Sequence, residues 1–141
     1  MATIYATNVL TGTTELPKYN ATGSITEIWV ASLTTALASG DTIVGPTMPA
    51  GCYLENVVTD WDDIDSGSGA TFECGYTSHL AAFIATGTTT PASGGIQAAN
   101  VAGTVGFTST TDTQVLVTMT GTAGTPVAGK VRIKLSYTAS P

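Results

Sequence analysis

Alternation of apolar and polar residues predicts two β-strands near the C-terminal end of the sequence. In residues 130–138, KVRIKLSYT, apolar side chains occupy the odd positions from 131 to 137, and polar or charged side chains occupy the even ones. This period of two is typical of a half-buried antiparallel strand. Residues 113–120, TQVLVTMT, alternate similarly, and the Gly and Pro residues of 121–129 suit a turn. The C-terminal third is therefore predicted to be one long hairpin.

Similar short segments recur through the rest of the chain. Further strands are predicted at residues 4–7, 25–33, 52–61, 71–76 and 103–107, whereas residues 79–85 favour a helical turn. Short strands separated by Gly, Pro and Ser every 8–12 residues or so are typical of all-β sandwiches. We expect a single-domain antiparallel β-sandwich of jelly-roll type over residues 25–141. Residues 1–24 are expected to form an N-terminal arm or a first strand of that domain.

The composition limits the classes of partner. Charged residues make up 10% of the chain, and the net charge is -6, so the chain lacks the cations that nucleic-acid phosphates require. No apolar run approaches the roughly 20 residues of a membrane helix. The first residues also lack the basic start and apolar core of a secretory signal. We therefore expect no nucleic-acid partner, no membrane partner and synthesis in the cytoplasm.

Four aspartates form the densest cluster of titratable residues: Asp60, Asp62, Asp63 and Asp65, in the segment DWDDIDSGSG. Carboxylates that converge in a Gly-rich loop suit a hard cation such as calcium. The segment lacks the EF-hand pattern, and Asp, Ser and Gly also form ordinary turns between strands. The two hypotheses are a solvated turn and a calcium site, and no cofactor is favoured.

Trp61, inside this segment, also has two interpretations. An exposed Trp61 beside Asp60 and Asp62, together with Tyr53, would form a glycan site. Trp61 could equally be the last core residue of its strand. Trp29, flanked by apolar residues, raises the same question and favours a core position.

The sequence contains few residues in the arrangements that catalytic sites use. His79 is the single histidine and has no nearby carboxylate or cysteine at catalytic spacing. No nucleophile elbow, phosphate-binding loop, HExxH or CxxC motif occurs. Cys52 and Cys74 lie at apolar strand positions and are expected to be reduced core residues, although a disulfide between them stays possible. We expect that the protein is not an enzyme.

Three of the four basic residues alternate along one predicted strand: Lys130, Arg132 and Lys134. Such a stripe concentrates positive potential that suits an acidic partner surface or a second copy of the chain. The alternative is that these charges protect an exposed sheet from unwanted strand pairing.

The order of features from residue 40 to residue 138 resembles that of small head decoration proteins of tailed bacteriophages. The similar features are GDTI, a Pro-Ala-Gly turn at 49–51, a strand that ends in the acidic loop, TFECGY, a Gly-Gly loop and a closing strand GKVRIKLSYT. The resemblance implies a β-rich domain on the capsid exterior, often a trimer that clamps neighbouring major capsid subunits. That group has an aliphatic residue at the position of Cys74, and about 35 N-terminal residues are unmatched.

We therefore expect a virion structural protein that binds the major capsid protein, bridges its subunits and forms a homo-oligomer, with a trimer favoured. The expected contact residues are the basic stripe and the arm residues Leu16, Pro17, Lys18 and Tyr19. Two alternatives are a receptor-binding or fibre-tip module that recognises host glycans, and a carbohydrate-binding module of a cellular protein.

Overall fold

The computed structural model describes residues 2–8, 24–34, 37–67, 69–90 and 94–139. These residues form strands, turns and loops, and none of them belongs to a helix that could span a membrane. The described strands, in chain order, are β1 Thr3–Tyr5, β2 Thr7–Asn8, β3 Ser24–Leu33, β4 Thr42–Met48, β5 Cys52–Trp61, β6 Thr71–Tyr76, β7 His79–Thr89, β8 Gly95–Ala98, β9 Thr113–Gly121 and β10 Gly129–Ala139. The all-β prediction is confirmed.

The strands form two five-stranded sheets. Sheet I has the order β1-β4-β9-β6-β7, and sheet II has the order β2-β3-β10-β5-β8. Neighbouring strands are antiparallel, except that β1 runs parallel to β4. Four antiparallel pairs are nested in the chain: β3 with β10, β4 with β9, β5 with β8 and β6 with β7. The pairings of β10 with β5 and of β9 with β6 join these pairs within each sheet, and β1 and β2 each add an edge strand.

The core lies between the two sheets because alternate residues of each strand point inward. Trp61 of sheet II packs on Phe72 of sheet I, with ring centroids 4.7 Å apart. Trp61 is 1% exposed, and its indole N–H donates to Thr59 Oγ1 over 2.9 Å. The core interpretation of Trp61 is therefore confirmed. Trp29 is partly buried and packs against the same core.

The predicted C-terminal hairpin is wrong. Strand β9 lies in sheet I between β4 and β6, whereas β10 lies in sheet II between β3 and β5. The segment between them crosses from one sheet to the other. Alternation determines which face of a strand is buried, but it does not identify the neighbouring strand.

Two other local predictions are also wrong. Residues 79–85 begin strand β7, because a two-residue turn after β6 brings His79 opposite Tyr76 and pairing with β6 overrides the local helical preference. Residues 103–107 form turns, and Phe107 packs on Phe83 with ring centroids 5.4 Å apart. Its burial there follows from aromatic packing without a strand.

The other predicted strands agree with the structure to different degrees. The predictions at 52–61 and 71–76 are confirmed, and those at 25–33, 113–120 and 130–138 each differ by one residue at one or both ends. The predicted strand at 4–7 is split into β1 and β2, which join different sheets. Strand β4 was not predicted because it contains Gly45 and Pro46, which lie where the register with β9 shifts.

Candidate interaction surface

The basic stripe lies on the outer face of sheet II. The apolar side chains of β10 point into the core, so the alternating pattern directs Lys130, Arg132 and Lys134 outward. The register places Val30, Arg132, Asp60 and Ile96 side by side across four strands. Cross-strand partners share a face, so these side chains form one row on the surface.

Arg132 is bound by the acidic segment. Its guanidinium donates to Asp62 Oδ1 from both terminal nitrogens, each over 3.0 Å, and to Asp60 Oδ2 over 3.4 Å. Asp62 Oδ2 also accepts the backbone N–H of Lys130 over 2.8 Å. This backbone hydrogen bond, followed by the hydrogen bond from Arg132, lowers the pKa of Asp62. Two candidate features that are about 70 residues apart in sequence thus form one cluster.

The two lysines differ from Arg132. Lys130 and Lys134 are exposed, and no ion pair joins either ammonium group to a carboxylate of the described residues. Lys134 lies between Ile28 on β3 and Val58 on β5, which are its direct register partners and are partly buried. Both of its direct cross-strand neighbours are therefore apolar.

Asp65 has a different environment from Asp60 and Asp62. It is 4% exposed, and its two carboxylate oxygens accept four backbone N–H groups. Those of Gly67 and Thr125 donate to Oδ1 over 3.1 and 2.8 Å, and those of Ala70 and Gly124 donate to Oδ2, each over 3.1 Å. These hydrogen bonds, with that of Thr125 the strongest cause, lower the pKa of Asp65.

The structure does not bring the four aspartates together as a set of cation ligands. Asp60 and Asp62 contact Arg132, Asp65 contacts amides, and Asp63 is exposed. No group of three or more acidic, histidine or cysteine side chains suited to a metal ion occurs in the described parts of the chain. A calcium site here stays a prediction, and it would require Asp62 and Asp65 to give up their present partners.

The residues of the hypothetical glycan site are also separated. Trp61 is buried, so its ring has no face available for a sugar. Tyr53 is 41% exposed but lies near the opposite end of β5, eight residues from Trp61, which is about 26 Å along an extended strand. These residues therefore do not form one glycan-binding surface.

His79 and the two cysteines have no site-like surroundings. His79 lies at the start of β7, where its ring is 5.8 Å from that of Tyr76 between centroids. Cys52 and Cys74, both among the described residues, are buried and are not joined in a disulfide. Complete burial raises the pKa of the Cys74 thiol, which disfavours the reactive thiolate.

A polar depression of about 240 Å³ opens beside the turn between β6 and β7. Its lining is mainly of hydroxyl and amide side chains, with one carboxylate: Tyr76, Thr77, Ser78, Ser109, Thr111, Asp112, Thr113 and Gln114. The carboxylate of Asp112 already accepts the backbone N–H of Ala50 over 2.9 Å. Its one carboxylate is therefore already engaged within the fold.

The predicted arm contacts Leu16, Pro17, Lys18 and Tyr19 lie outside the described residues.

No feature of the sequence indicated the contact between Arg132 and Asp60, because these residues become neighbours only when β10 pairs with β5 in sheet II. The turn chemistry of Asp65 was visible in the sequence, since its bond to the N–H two residues ahead is an Asx turn.

Two solved phage capsids contain chains of this fold. A chain in the capsid of Ralstonia phage GP4 matches with a TM-score of 0.76 and 19% identity, over 99% of each chain. A chain in the capsid asymmetric unit of cyanophage Pam1 matches with a TM-score of 0.67 and 17% identity, over 94% of this chain and 97% of that one. No protein-family model matches the chain, and no curated protein does. The structural likeness shows the fold.

Proposed function

We propose that this chain is a virion structural protein that binds the outside of a phage capsid and stabilises it by bridging major capsid subunits. The supporting observation is the end-to-end likeness to chains of two phage capsids. Because 99% of each chain is matched in the GP4 comparison, that chain has about the same length as this one. The sequence resemblance to head decoration proteins favours the same role, which requires no catalysis.

We also propose that the sandwich is a jelly roll. Its eight longest strands, β3 to β10, pair first with last, second with seventh, third with sixth and fourth with fifth. A long antiparallel hairpin that wraps around a core would produce these nested pairs, with the two sheets holding alternate pairs. This is the strand order expected of an eight-stranded jelly roll.

Bridging would depend on many weak contacts. A closed shell presents the same surface at each symmetry-related position, so modest contacts made by each copy add up across the capsid. A trimer would contact several shell subunits at once. A net charge of -6, with only 10% charged residues in the chain, does not favour nucleic acid as an alternative partner.

The proposed contacts are the basic stripe of Lys130, Arg132 and Lys134, and the arm residues near Tyr19. We retain residues 1–24 as an N-terminal arm or a first strand of the sandwich domain, and β1 and β2 within this segment are edge strands of the two sheets.

A sedimentation experiment tests this function. Purified protein is mixed with phage shells that lack it, the shells are pelleted, and the bound copies are counted as a function of protein concentration. We expect saturable binding with a fixed number of copies per shell, and a higher temperature of DNA release from the decorated shells. Absence of binding at micromolar protein would contradict the proposal.

Shell assembly without the protein separates decoration from a shell-forming role. In the decoration account, phage mutants that lack the gene still assemble shells of normal size, and these shells are less resistant to heat. If no shells form, the chain is a shell-forming subunit instead.

A further inference from the structure

The ammonium groups of Lys130 and Lys134 both lack an ion pair with the described carboxylates, and the two lysines differ in their flanking residues. Arg132 is held by Asp60 and Asp62, and the backbone at Lys130 is bound to Asp62. Lys134 has neighbours of another kind, because Ile28 and Val58 flank it and neither can balance its charge. No carboxylate of the described residues forms an ion pair with its ammonium group.

Apolar side chains extend this region to the edge of sheet II. Ile96 of β8 is 69% exposed and stands opposite Asp60, next to Ala98, which is also exposed. Val58 stands opposite Ala98 in the adjacent row. We call these residues the docking face: Ile28, Val30, Val58, Ile96, Ala98, Arg132 and Lys134. It combines exposed apolar area with one cation that has no partner within the described chain.

We propose that the docking face is the surface by which the protein binds the shell, and that it fits an acidic, partly apolar surface of a shell subunit. This inference rests on the proposed function. Docking would remove water from Lys134 between its apolar neighbours, so a carboxylate of the partner is needed to compensate the desolvated ammonium. The ion pairs of Arg132 hold its side chain in place, which reduces the entropy lost on binding.

The other outer face lacks this combination. The central row of sheet I places Thr42 opposite Thr118 and Thr118 opposite Glu73. The carboxylate of Glu73 accepts a hydrogen bond from the hydroxyl of Thr86. A neighbouring row of the same face is apolar and joins Tyr5, Val44 and Leu116, with Tyr5 73% exposed. Sheet I thus has exposed apolar area, but it has no Lys or Arg among its described residues.

A second copy of the chain is a poorer partner for Lys134, although the chain is acidic overall. Most of its described carboxylates are already engaged within the fold, as the bonds of Asp41, Glu55, Asp62 and Asp65 show. A foreign surface with uncommitted carboxylates gains more from contact with Lys134.

Charge-matched variants of the full chain test the inference in the sedimentation experiment. Lys134→Gln on the docking face and Gln114→Glu at an exposed position of β9 in sheet I each change the net charge from -6 to -7. We expect Lys134→Gln and Ile96→Asp to weaken shell binding on the order of tenfold, and Gln114→Glu to bind like the wild type. Wild-type binding should weaken as salt rises, and that of Lys134→Gln should respond less. Unchanged thermal unfolding shows that each variant is folded.

The outcomes separate the inference from the function on which it rests. If the wild type binds shells and the docking-face variants bind equally well, the inference is wrong and the proposed function stands. If the wild type does not bind, both are wrong. If the same variants reduce the mass of a homo-oligomer in light scattering while each copy retains shell affinity, the face joins copies of this chain, which also overturns the inference.

Discussion

Asp65 shows how one buried carboxylate joins two of the loops that cross between the sheets. One loop connects β5 to β6 and the other connects β9 to β10, and both run from one sheet to the other at the same end of the sandwich. Asp65 belongs to the first loop and accepts the N–H groups of Gly124 and Thr125 in the second. Backbone bonds from Ser66 to Thr125 and from Val127 to Ile64 support the same contact. The acidic loop thus has a structural role.

We expect Asp65→Asn to lower the melting temperature by several degrees at neutral pH, because a neutral amide replaces the anion that accepts four N–H groups. The pKa of Asp65 is lower in the folded chain than its ordinary value of 3.8, so its contribution to stability is present above that value and is lost as the pH falls. The difference from wild type should shrink from about pH 5 to about pH 3 in thermal unfolding monitored by circular dichroism.

The matched control is Asp63→Asn, which makes the same change at an exposed position of the same loop. It should leave the melting temperature close to that of the wild type. Equal effects of the two substitutions would contradict the role given to Asp65.

Glu27 contrasts with Asp65, because burial of the Glu27 carboxylate destabilises the folded chain at neutral pH. It is 6% exposed on β3, and its Oε2 atom has no hydrogen-bond partner in the described structure. The indole N–H of Trp29, two residues away, is also buried, and its interaction with the Glu27 carboxylate lowers the pKa of Glu27 by less than burial raises it. Burial raises the pKa of Glu27 above its ordinary value of 4.5, because water no longer solvates the charge.

We expect Glu27→Gln to raise the melting temperature at neutral pH. A raised folded pKa means that the stabilising, protonated form is present below pH 4.5 and is lost as the pH rises through the folded pKa. This gain in melting temperature should therefore disappear as the pH is lowered toward 4.5 in a series of thermal melts.

Glu55→Gln should lower the melting temperature instead, since hydrogen bonds from Ser24 and Thr138 lower the pKa of Glu55. A lower melting temperature for Glu27→Gln at neutral pH would refute this account.

At the scale of elements, the sequence predicts which segments are strands better than which strands are neighbours. Alternation in β5, β6, β9 and β10 was visible because each has one buried and one exposed face. Pairing between strands far apart in the chain, such as β3 with β10, leaves no local signal. For this reason the prediction of a β9–β10 hairpin was wrong. The Arg132–Asp60 contact was not predicted from the sequence for the same reason.

The sheet edges are protected from pairing with other chains. Strands β1, β2 and β8 are short edges of three, two and four residues. Strand β7 is an edge of eleven residues, but bulges interrupt its register with β6. Asn100 covers part of its open side, where its side chain accepts the N–H of Ala85 over 2.8 Å and its own N–H donates to Phe83 O over 3.0 Å. Short, bulged or covered edges limit aggregation.

We expect Asn100→Ala to expose the N–H of Ala85 and to lower the unfolding free energy by about 1 kcal/mol, the usual net value of one hydrogen bond. It should also increase self-association on prolonged incubation, because the open edge can pair with another chain. Denaturant unfolding and light scattering measure the two effects. The same substitution at the exposed Asn56 of β5 serves as the control, and indistinguishable behaviour of the two variants would argue against edge protection.

The whole molecule has two different outer faces. The three described Lys and Arg residues all lie on sheet II, beside exposed and partly buried apolar side chains. Sheet I has no described Lys or Arg, and its outer face combines a row of hydroxyl groups and Glu73 with the apolar row of Tyr5, Val44 and Leu116. In the proposed arrangement, sheet II would face the shell and sheet I would face solvent. This orientation is the central structural consequence of the proposed function.

Cryo-electron microscopy of shells mixed with the purified protein tests that consequence most directly. We expect added density for a β-sandwich domain at regular positions on the outer surface of the shell, with Lys134 and Ile96 of sheet II toward a shell subunit. Shells that show no added density at micromolar protein would contradict the account.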